Sequence, residues 1–362
     1  MMQRMKVVLL AGALELSDAI VYTLSLGRGL IGRGHEVRLI AADGPLTGLL
    51  DTDPLTHVAH ALTSSRWRDV FERQRLREAL ADFNPEILHV VDESLDGAGA
   101  HLARRWQVPH AVTHHGRVAA PESWRRADVV IVPAQGQRAT VVNQGKVAAE
   151  RVRVVPYGLP DTPEPPLAPL ADDHRPSIGT VGPLPRGRGL KQFAHAMCQV
   201  GKARPDALFP VIGSGPYHPF LIRHAEGLGI GDRLIVAESC IEPKAALGSL
   251  DIVVLPSVEE EFGYLAALAM ALGRPIVASA VGQAFDLIED GVTGILVPPG
   301  DERALSDAVL GLLHEPERAR ALGIAARTAT RAGHSLEAMV SGTLDAYESL
   351  LAGVATTDVP AR

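Results

Sequence analysis

The sequence has few cysteines, few aromatic residues and no long apolar run. Its 362 residues include two cysteines, Cys198 and Cys240, which form no disulfide framework and lack the spacing of zinc ligands. We therefore expect no structural metal and a reducing, cytoplasmic compartment. No apolar run approaches the about 20 residues that span a bilayer. The sequence thus predicts no membrane-crossing helix.

Positive charge is also in deficit. The chain has 35 Lys and Arg against 42 Asp and Glu, a net charge of −7, which disfavours a nucleic-acid partner because phosphate backbones are held by surplus cations.

The opening "MMQRMKVVLLAGALELSDA" imitates a secretory signal, with basic residues before an apolar run. Glu15 and Asp18 fall where a cleavage region is small and neutral, so we interpret this segment as a first buried strand.

Short β-branched runs alternate with helical segments along most of the chain, and this pattern occurs twice. In the first half the predicted strands are "KVVLLAG", "EVRLIAA", "ILHVVDE", "HAVTHHG", "DVVIVPA" and "RVRVVPYG". In the second half they are "SIGTVGP", "LFPVIGSG", "RLIVAE", "DIVVLPS", "PIVASAV" and "GILVPPG". Such alternation is typical of parallel sheets with helices on both faces. We predict an α/β protein with two Rossmann-like, doubly wound domains that face each other across a ligand-binding cleft.

A proline-rich segment separates the two halves. We predict a first domain at 1–158, a linker at 159–175 and a second domain at 176–334, because the prolines of the linker exclude a helix or a central strand. Helices follow Pro299, and the final one is expected near 335–352.

The glycines give no dinucleotide-binding fingerprint. The segment "VIGSGPYHPF" contains Gly213 and Gly215 but lacks the third glycine of G-x-G-x-x-G. A tight turn at a strand end is the alternative interpretation of the pair. A nicotinamide-dependent dehydrogenase is therefore not indicated.

An ordered set of motifs resembles the retaining glycosyltransferases of family 4, which have the GT-B fold. The set comprises "GRGHEVRLI", "ILHVVDE", "AVTHHG", "ADVVIVPA", "VGPLPRGRGLKQF", "VIGSGP", "GSLDIVVLPSVEEEFG", "AMALGRPIVAS" and "EDGVTGILVPPGD". The resemblance implies transfer of a sugar from a nucleotide-diphosphate sugar, with retention and without a metal or cofactor. It also implies that the second domain binds the donor, that the first binds an unidentified acceptor, and that the final helix returns to the first domain.

The resemblance assigns the donor diphosphate to the segment after "IGTV". Gly182 lets the backbone approach phosphate, Arg188 stands where the family has a lysine, and Lys191 lies one turn further. The family's usual arginine after Val-Gly is replaced by Pro183, and we expect Arg186 to supply that charge. By the same resemblance Gly213 and Gly215 join the donor site. The alternative is an ordinary solvated basic loop.

The segment "EEEFGYLAALAMALGRP" departs further from the family. Glu260, Phe262 and Gly263 match its E-G-F-G pattern, whose glutamate contacts the donor sugar, but Leu268 replaces the second, ribose-binding glutamate. With Leu265 and Leu272 it forms an i, i+3, i+7 stripe that can face a core. The departures leave open a catalytically silent relative that binds a ligand or partner, and other GT-B chemistry such as epimerisation or inversion.

The acceptor side is assigned from fewer residues. His115 matches a family histidine near the reacting sugar, and an imidazole there can bind a hydroxyl and adapt its protonation near neutral pH; a structural role for His115 is the alternative. Ser17 and Asp18 replace the family's Gly-Gly loop. The basic segment 65–80 predicts either peripheral contact with anionic lipid or an ordinary surface helix.

Overall fold

The computed structural model describes residues 4–60, 76, 80, 82–115, 124–159, 175–237, 243–258, 263–282 and 284–357. The chain forms two compact units. The first comprises Met1–Glu15, Ala19–Gly158 and Leu336–Arg362, and the second comprises Leu16–Asp18 and Leu159–Ser335. The predicted linker lies almost entirely outside the described residues, as does most of segment 65–80.

The first unit is built on a seven-stranded parallel sheet of order β3-β2-β1-β4-β5-β6-β7. Its strands are β1 (Lys6–Ala13), β2 (Glu36–Ala42), β3 (Thr56–Ala59), β4 (Ile87–Val90), β5 (His110–Thr113), β6 (Val129–Val132) and β7 (Val152–Val154). Strand β1 is central because Val7 pairs with Val37 on one side and Ile87 on the other. Helices α1 (Asp18–Gly32), α2 (Asp96–Trp106) and α3 (Gln135–Asn143) belong to the crossovers.

The second unit repeats this topology with a six-stranded parallel sheet of order β10-β9-β8-β11-β12-β13. Its strands are β8 (Ile178–Val181), β9 (Phe209–Ile212), β10 (Leu234–Ala237), β11 (Ile252–Leu255), β12 (Ile276–Ser279) and β13 (Ile295–Val297). Its helices are α4 (Leu190–Ala203), α5 (His218–Gly227), α6 (Pro243–Gly248), α7 (Tyr264–Ala271), α8 (Ala284–Leu287), α9 (Glu302–His314) and α10 (Pro316–Gly333). The strand order runs outward from β8 to β10 and then continues on the other side of β8 with β11. Doubly wound folds bind ligands at this switch point between β8 and β11.

The C-terminal helix α11 (Leu336–Thr357) belongs to the first unit. Val340, Leu344 and Tyr347 lie at i, i+4 and i+7 and are at most 2% exposed, so one apolar stripe attaches the helix. Tyr347 Oη also lies 2.6 Å from Nδ1 of the buried His89. The helix therefore returns to the first unit, as the family resemblance implied.

The observed architecture confirms the predicted fold class of two Rossmann-like, doubly wound domains. The predictions missed β3, a four-residue edge strand of sequence "THVA" that shows little burial. The inner strands β1, β4 and β6 are nearly all buried on both faces, as parallel strands covered by helices must be. Within the described part of the chain, no helix has the length and apolar character needed to cross a membrane.

Candidate functional site

In the second unit, the loops after β8 and β9 pack backbone against backbone. Leu184 N donates to Ser214 O at 2.8 Å, and Gly182 N donates to Ile212 O at 2.8 Å. A Cβ at Gly213 would collide with the carbonyl oxygen of Gly182, and one at Gly215 would lie 2.6 Å from that of Leu184. With φ of +150° and +154°, both positions favour glycine. This glycine pair therefore has the tight-turn role and shapes the predicted donor site by letting the two loops meet.

Arg188 lies inside the loop that it was predicted to serve. The residue is 7% exposed, its Nη1 donates to Pro183 O, and its Nη2 donates to Val181 O at 2.5 Å. These bonds satisfy two backbone carbonyl oxygens of the loop. The backbone amides of the same loop are the groups that the predicted phosphate would contact. Arg188 thus fixes the loop's shape and brings a buried positive charge beneath it. Its direct contact with phosphate stays a prediction.

Two other cations of this segment are exposed. Arg186 lies in the loop with its Cζ 5.3 Å from the ring centroid of Phe220, and Lys191 lies in the first turn of α4. Both side chains are on the carboxyl side of β8, where the predicted diphosphate would bind. The exposed charge of the donor site comes from these two residues rather than from Arg188.

Helix α7 follows β11 and begins after Gly263. Every residue of the helix is buried, and Leu268 is 2% exposed. The predicted stripe of Leu265, Leu268 and Leu272 is accordingly part of a helix that is apolar all round. Glu260 and Phe262 lie outside the described residues.

Asp18 reaches the start of this helix. It groups with the second unit, and its Oδ1 accepts from Leu265 N at 2.7 Å. A carboxylate is stabilised at a helix N-terminus because it pairs with amides that have no intrahelical acceptor. Asp18 therefore occupies the Leu265 amide, which would otherwise be able to bind a phosphate. The sequence showed that Ser17-Asp18 replaces the Gly-Gly loop of the family, but it did not predict this contact.

In the first unit, buried polar side chains collect where β4 and β5 end. His115 Nδ1 lies 3.1 Å from Tyr157 Oη, and the two rings are stacked with centroids 5.8 Å apart. The Tyr22 ring meets His115 edge-on at 5.1 Å. Burial, followed by the neighbouring His114, lowers the pKa of His115 to about 3. The expected change of protonation near neutral pH is therefore wrong: His115 is a neutral hydrogen-bonding group.

Glu93 is a member of this cluster that the sequence interpretation missed. Its Oε1 lies 2.5 Å from His114 Nδ1 and accepts from His115 N at 2.7 Å. The side chain is 6% exposed, and among the described residues its Oε2 has no hydrogen-bond partner. The signal was a carboxylate three residues after the end of the buried strand "ILHV". Glu93 thus holds the backbone amide of His115 and the ring of His114 in place. It also puts a buried carboxylate at this edge of the sheet.

His89 has a structural role. Its Nδ1 lies 2.6 Å from Tyr347 Oη and its Nε2 2.7 Å from Thr113 Oγ1. Burial, then His115 and His110, lowers its pKa to about 3. The neutral ring thereby joins helix α11 to strand β5.

Two doubly wound α/β units with polar side chains at the carboxyl ends of their strands are the frame of a two-domain α/β enzyme, and the comparisons give its family. Residues 19–162 match the model "Glycosyltransferase Family 4", and residues 175–315 match "Glycosyl transferases group 1". The Alpha-D-kanosaminyltransferase of Streptomyces kanamyceticus is 31% identical over 86% of this chain and 68% of its own. The chain therefore belongs to glycosyltransferase family 4.

Two further similarities support this assignment. The D-inositol 3-phosphate glycosyltransferase of Xylanimonas cellulosilytica is 27% identical over 86% of this chain and 87% of its own. A crystal structure of Anabaena HepE in complex with UDP and glucose superposes with a TM-score of 0.79 at 17% identity, covering 96% of this chain and all of HepE. At that identity the structural match concerns the fold.

Proposed function

We propose that this glycosyltransferase uses a nucleotide-diphosphate sugar as donor, retains the anomeric configuration and needs no metal. The observation that carries the donor assignment is the exposed positive charge of Arg186, on the loop after β8, and of Lys191, in the first turn of α4. The carboxyl end of β8 is the ligand-binding position of a doubly wound sheet. HepE, which has the same fold, was crystallised with UDP. Retention and metal independence are proposed from the family resemblance.

The cations would act on the leaving diphosphate. The bond from the sugar C1 to the diphosphate oxygen breaks, a bond from C1 to the acceptor hydroxyl oxygen forms on the same face, and the hydroxyl proton leaves with the diphosphate. Fixed positive charge lowers the barrier because negative charge grows on the leaving group. The buried guanidinium of Arg188 keeps the loop in the geometry that presents this charge.

The first unit would receive the acceptor. Glu93 and the half-buried His115, backed by the buried Tyr22 and Tyr157, form a hydrogen-bonding surface on which His115 does not titrate near neutral pH. Such a surface suits neutral hydroxyl groups, since a neutral imidazole can donate or accept. In this proposal Glu93 and His115 orient the acceptor hydroxyl or the transferred sugar.

The test is turnover with a panel of UDP-, GDP-, ADP- and TDP-sugars, with released nucleoside diphosphate measured in EDTA and in Mg²⁺. The acceptor panel includes inositol 3-phosphate and 2-deoxystreptamine, which appear in relatives' names. We expect release with at least one donor in EDTA, and an NMR-assigned product with the donor's anomeric configuration. Inversion, a strict metal requirement, or no turnover with any donor would contradict the respective part of the proposal.

A further inference from the structure

Phe220 is an exposed aromatic residue, and the guanidinium groups of two arginines lie over its ring. It lies in the first turn of α5, is 46% exposed, and has Arg186 Cζ at 5.3 Å and Arg223 Cζ at 5.0 Å from its centroid. The Tyr217 ring stacks beside it, with centroids 5.9 Å apart and planes at 23°. The face of an aromatic ring attracts cations, so the ring gives both guanidinium groups a preferred position.

The backbone sets the distance between Arg186 and this ring. Leu184 N donates to Ser214 O, and Tyr217 N donates to Leu184 O at 3.0 Å. These bonds tie the loop that bears Arg186 to the turn that begins α5. An exposed arginine in a loop would otherwise lose much side-chain entropy when it binds an anion. Contact with Phe220 removes part of that cost beforehand, because the guanidinium is already held at the loop edge.

The two guanidinium groups on the ring bring positive charge to the surface of the second unit. Among the residues that the structure describes, no carboxylate forms an ion pair with Arg186 or Arg223. Two positive charges on one ring repel each other, and an anion bound near them relieves that repulsion. The second observation is Pro183, which has no side-chain cation and stands in the same loop. Within this loop the exposed positive charge is therefore that of Arg186.

We propose that Phe220 is a positioning residue for the donor, which holds Arg186 against the diphosphate of a nucleoside-diphosphate ligand. This inference rests on the proposed function and deepens it by naming the residues that replace the charge lost at Pro183. Phe220 acts through Arg186 and touches no reacting atom. Substitution of Phe220 should therefore change the affinity for the donor. A larger aromatic ring at this position should preserve that affinity.

The experiment is a calorimetric titration of the full chain with UDP, GDP, ADP and TDP in EDTA. The variants are Phe220→Leu, Phe220→Trp, Arg186→Ala and the double variant Phe220→Leu with Arg186→Ala. Ile324→Ala is the matched control, since Ile324 is a 52% exposed apolar residue on α10. We expect Phe220→Leu to lower the affinity for the preferred nucleoside diphosphate about three- to fivefold, the range of an exposed cation–π pair. Phe220→Trp should bind with the affinity of the unchanged chain.

The double variant distinguishes positioning from independent contact. If Phe220 acts through Arg186, the loss from Phe220→Leu disappears once Arg186 is alanine, because coupled residues are non-additive. Donor KM then rises in Phe220→Leu while kcat changes less. Unchanged affinity in Phe220→Leu, or a full additional loss in the double variant, overturns this inference alone; the latter would mean that the ring contacts the nucleotide directly. Failure of the unchanged chain to bind any nucleoside diphosphate overturns the proposed function together with it.

Discussion

The carboxyl edges of the two sheets have the same topology but opposite solvation. In the first unit, the half-buried His115 and the Glu93 side chain, which is 6% exposed, form a hydrogen-bonded cluster, and burial of the imidazole lowers the pKa of His115. In the second unit, Arg186 is exposed on a loop that Gly213 and Gly215 allow to pack against its neighbour, and Lys191 is exposed in the first turn of α4. The difference teaches that the same edge of a sheet can be built from hydrogen-bonded, little-exposed side chains or from exposed cations. Under the proposed function, the first edge suits hydroxyl groups and the second suits phosphate.

The two edges also differ in what makes them rigid. The first depends on side-chain hydrogen bonds in the interior, which are costly to break because a buried partner is left unsatisfied. The second depends on backbone bonds between loops and on the buried Arg188, so its exposed cations can be removed at little cost in stability. Substitutions in the cluster of Glu93 and His115 should therefore change folding and turnover together, whereas substitutions of the exposed Arg186 and Lys191 should change donor binding with little change in stability.

Leu268→Glu gives the largest expected effect, because it puts a carboxylate into a helix that is buried all round. Leu268 is 2% exposed, and an unpaired buried charge costs several kcal/mol. We expect a strongly lowered urea midpoint, whereas Leu268→Met should lose less than about 1.5 kcal/mol. Full stability together with tighter nucleotide-sugar binding by Leu268→Glu would show instead that the ribose pocket of the family is intact.

Glu93→Ala should affect both stability and turnover. It removes the acceptor for His115 N and the partner of His114 Nδ1, and each buried group left unpaired costs about 1–3 kcal/mol. Turnover should fall about tenfold or more, equal to about 1.4 kcal/mol of transition-state stabilisation. Glu93→Gln, which keeps one carbonyl acceptor, should lose less. Urea unfolding and initial rates measure the two effects.

The control for Glu93 is Glu337→Gln. Glu337 is an 82% exposed carboxylate that pairs with Arg33 at 3.1 Å, and such surface pairs contribute about 0–1 kcal/mol. If Glu93→Ala were as stable and active as Glu337→Gln, the buried cluster would have no part in function.

Glu260→Gln should act on turnover without a loss of stability. Glu260 follows strand β11 and matches the family glutamate that contacts the donor sugar. Removing its charge while keeping its shape should lower kcat/KM about tenfold, or about 1.4 kcal/mol. Glu259→Gln is the neighbouring control. Equal losses in both variants would remove the special role of Glu260.

Acid should destabilise the first unit through its buried histidines. Burial lowers the pKa of His89 and His115 to about 3 and that of His110 to about 4. The unfolded chain binds protons near the ordinary histidine pKa of about 6.5, so between about pH 6.5 and 4 unfolding takes up protons and stability falls as pH falls. Calorimetric unfolding in buffers of different ionisation enthalpy should show this uptake at pH 5 and little at pH 8. No uptake at pH 5 would mean that these rings are protonated in the folded chain.

Strand periodicity predicted most of the fold, because buried parallel strands are continuous apolar runs that differ plainly from their helices. Strand β3 was missed since it is a short edge strand with polar residues. The glycines and arginines of the donor loop were located by motif, but a motif does not give side-chain direction, and Arg188 turns inward. Glu93 and Asp18 gain their significance from distant amides at His115 and Leu265, which no local pattern reveals.

Salt dependence of nucleoside-diphosphate binding tests most directly the claim that the second unit binds the donor by exposed charge. The measurement is calorimetric titration of the unchanged chain with the preferred nucleoside diphosphate in EDTA at 50 and 500 mM NaCl. We predict binding at low salt that weakens markedly at high salt, because interactions between exposed charges are screened. Absence of binding in EDTA, or an affinity that does not change with salt, would contradict the account.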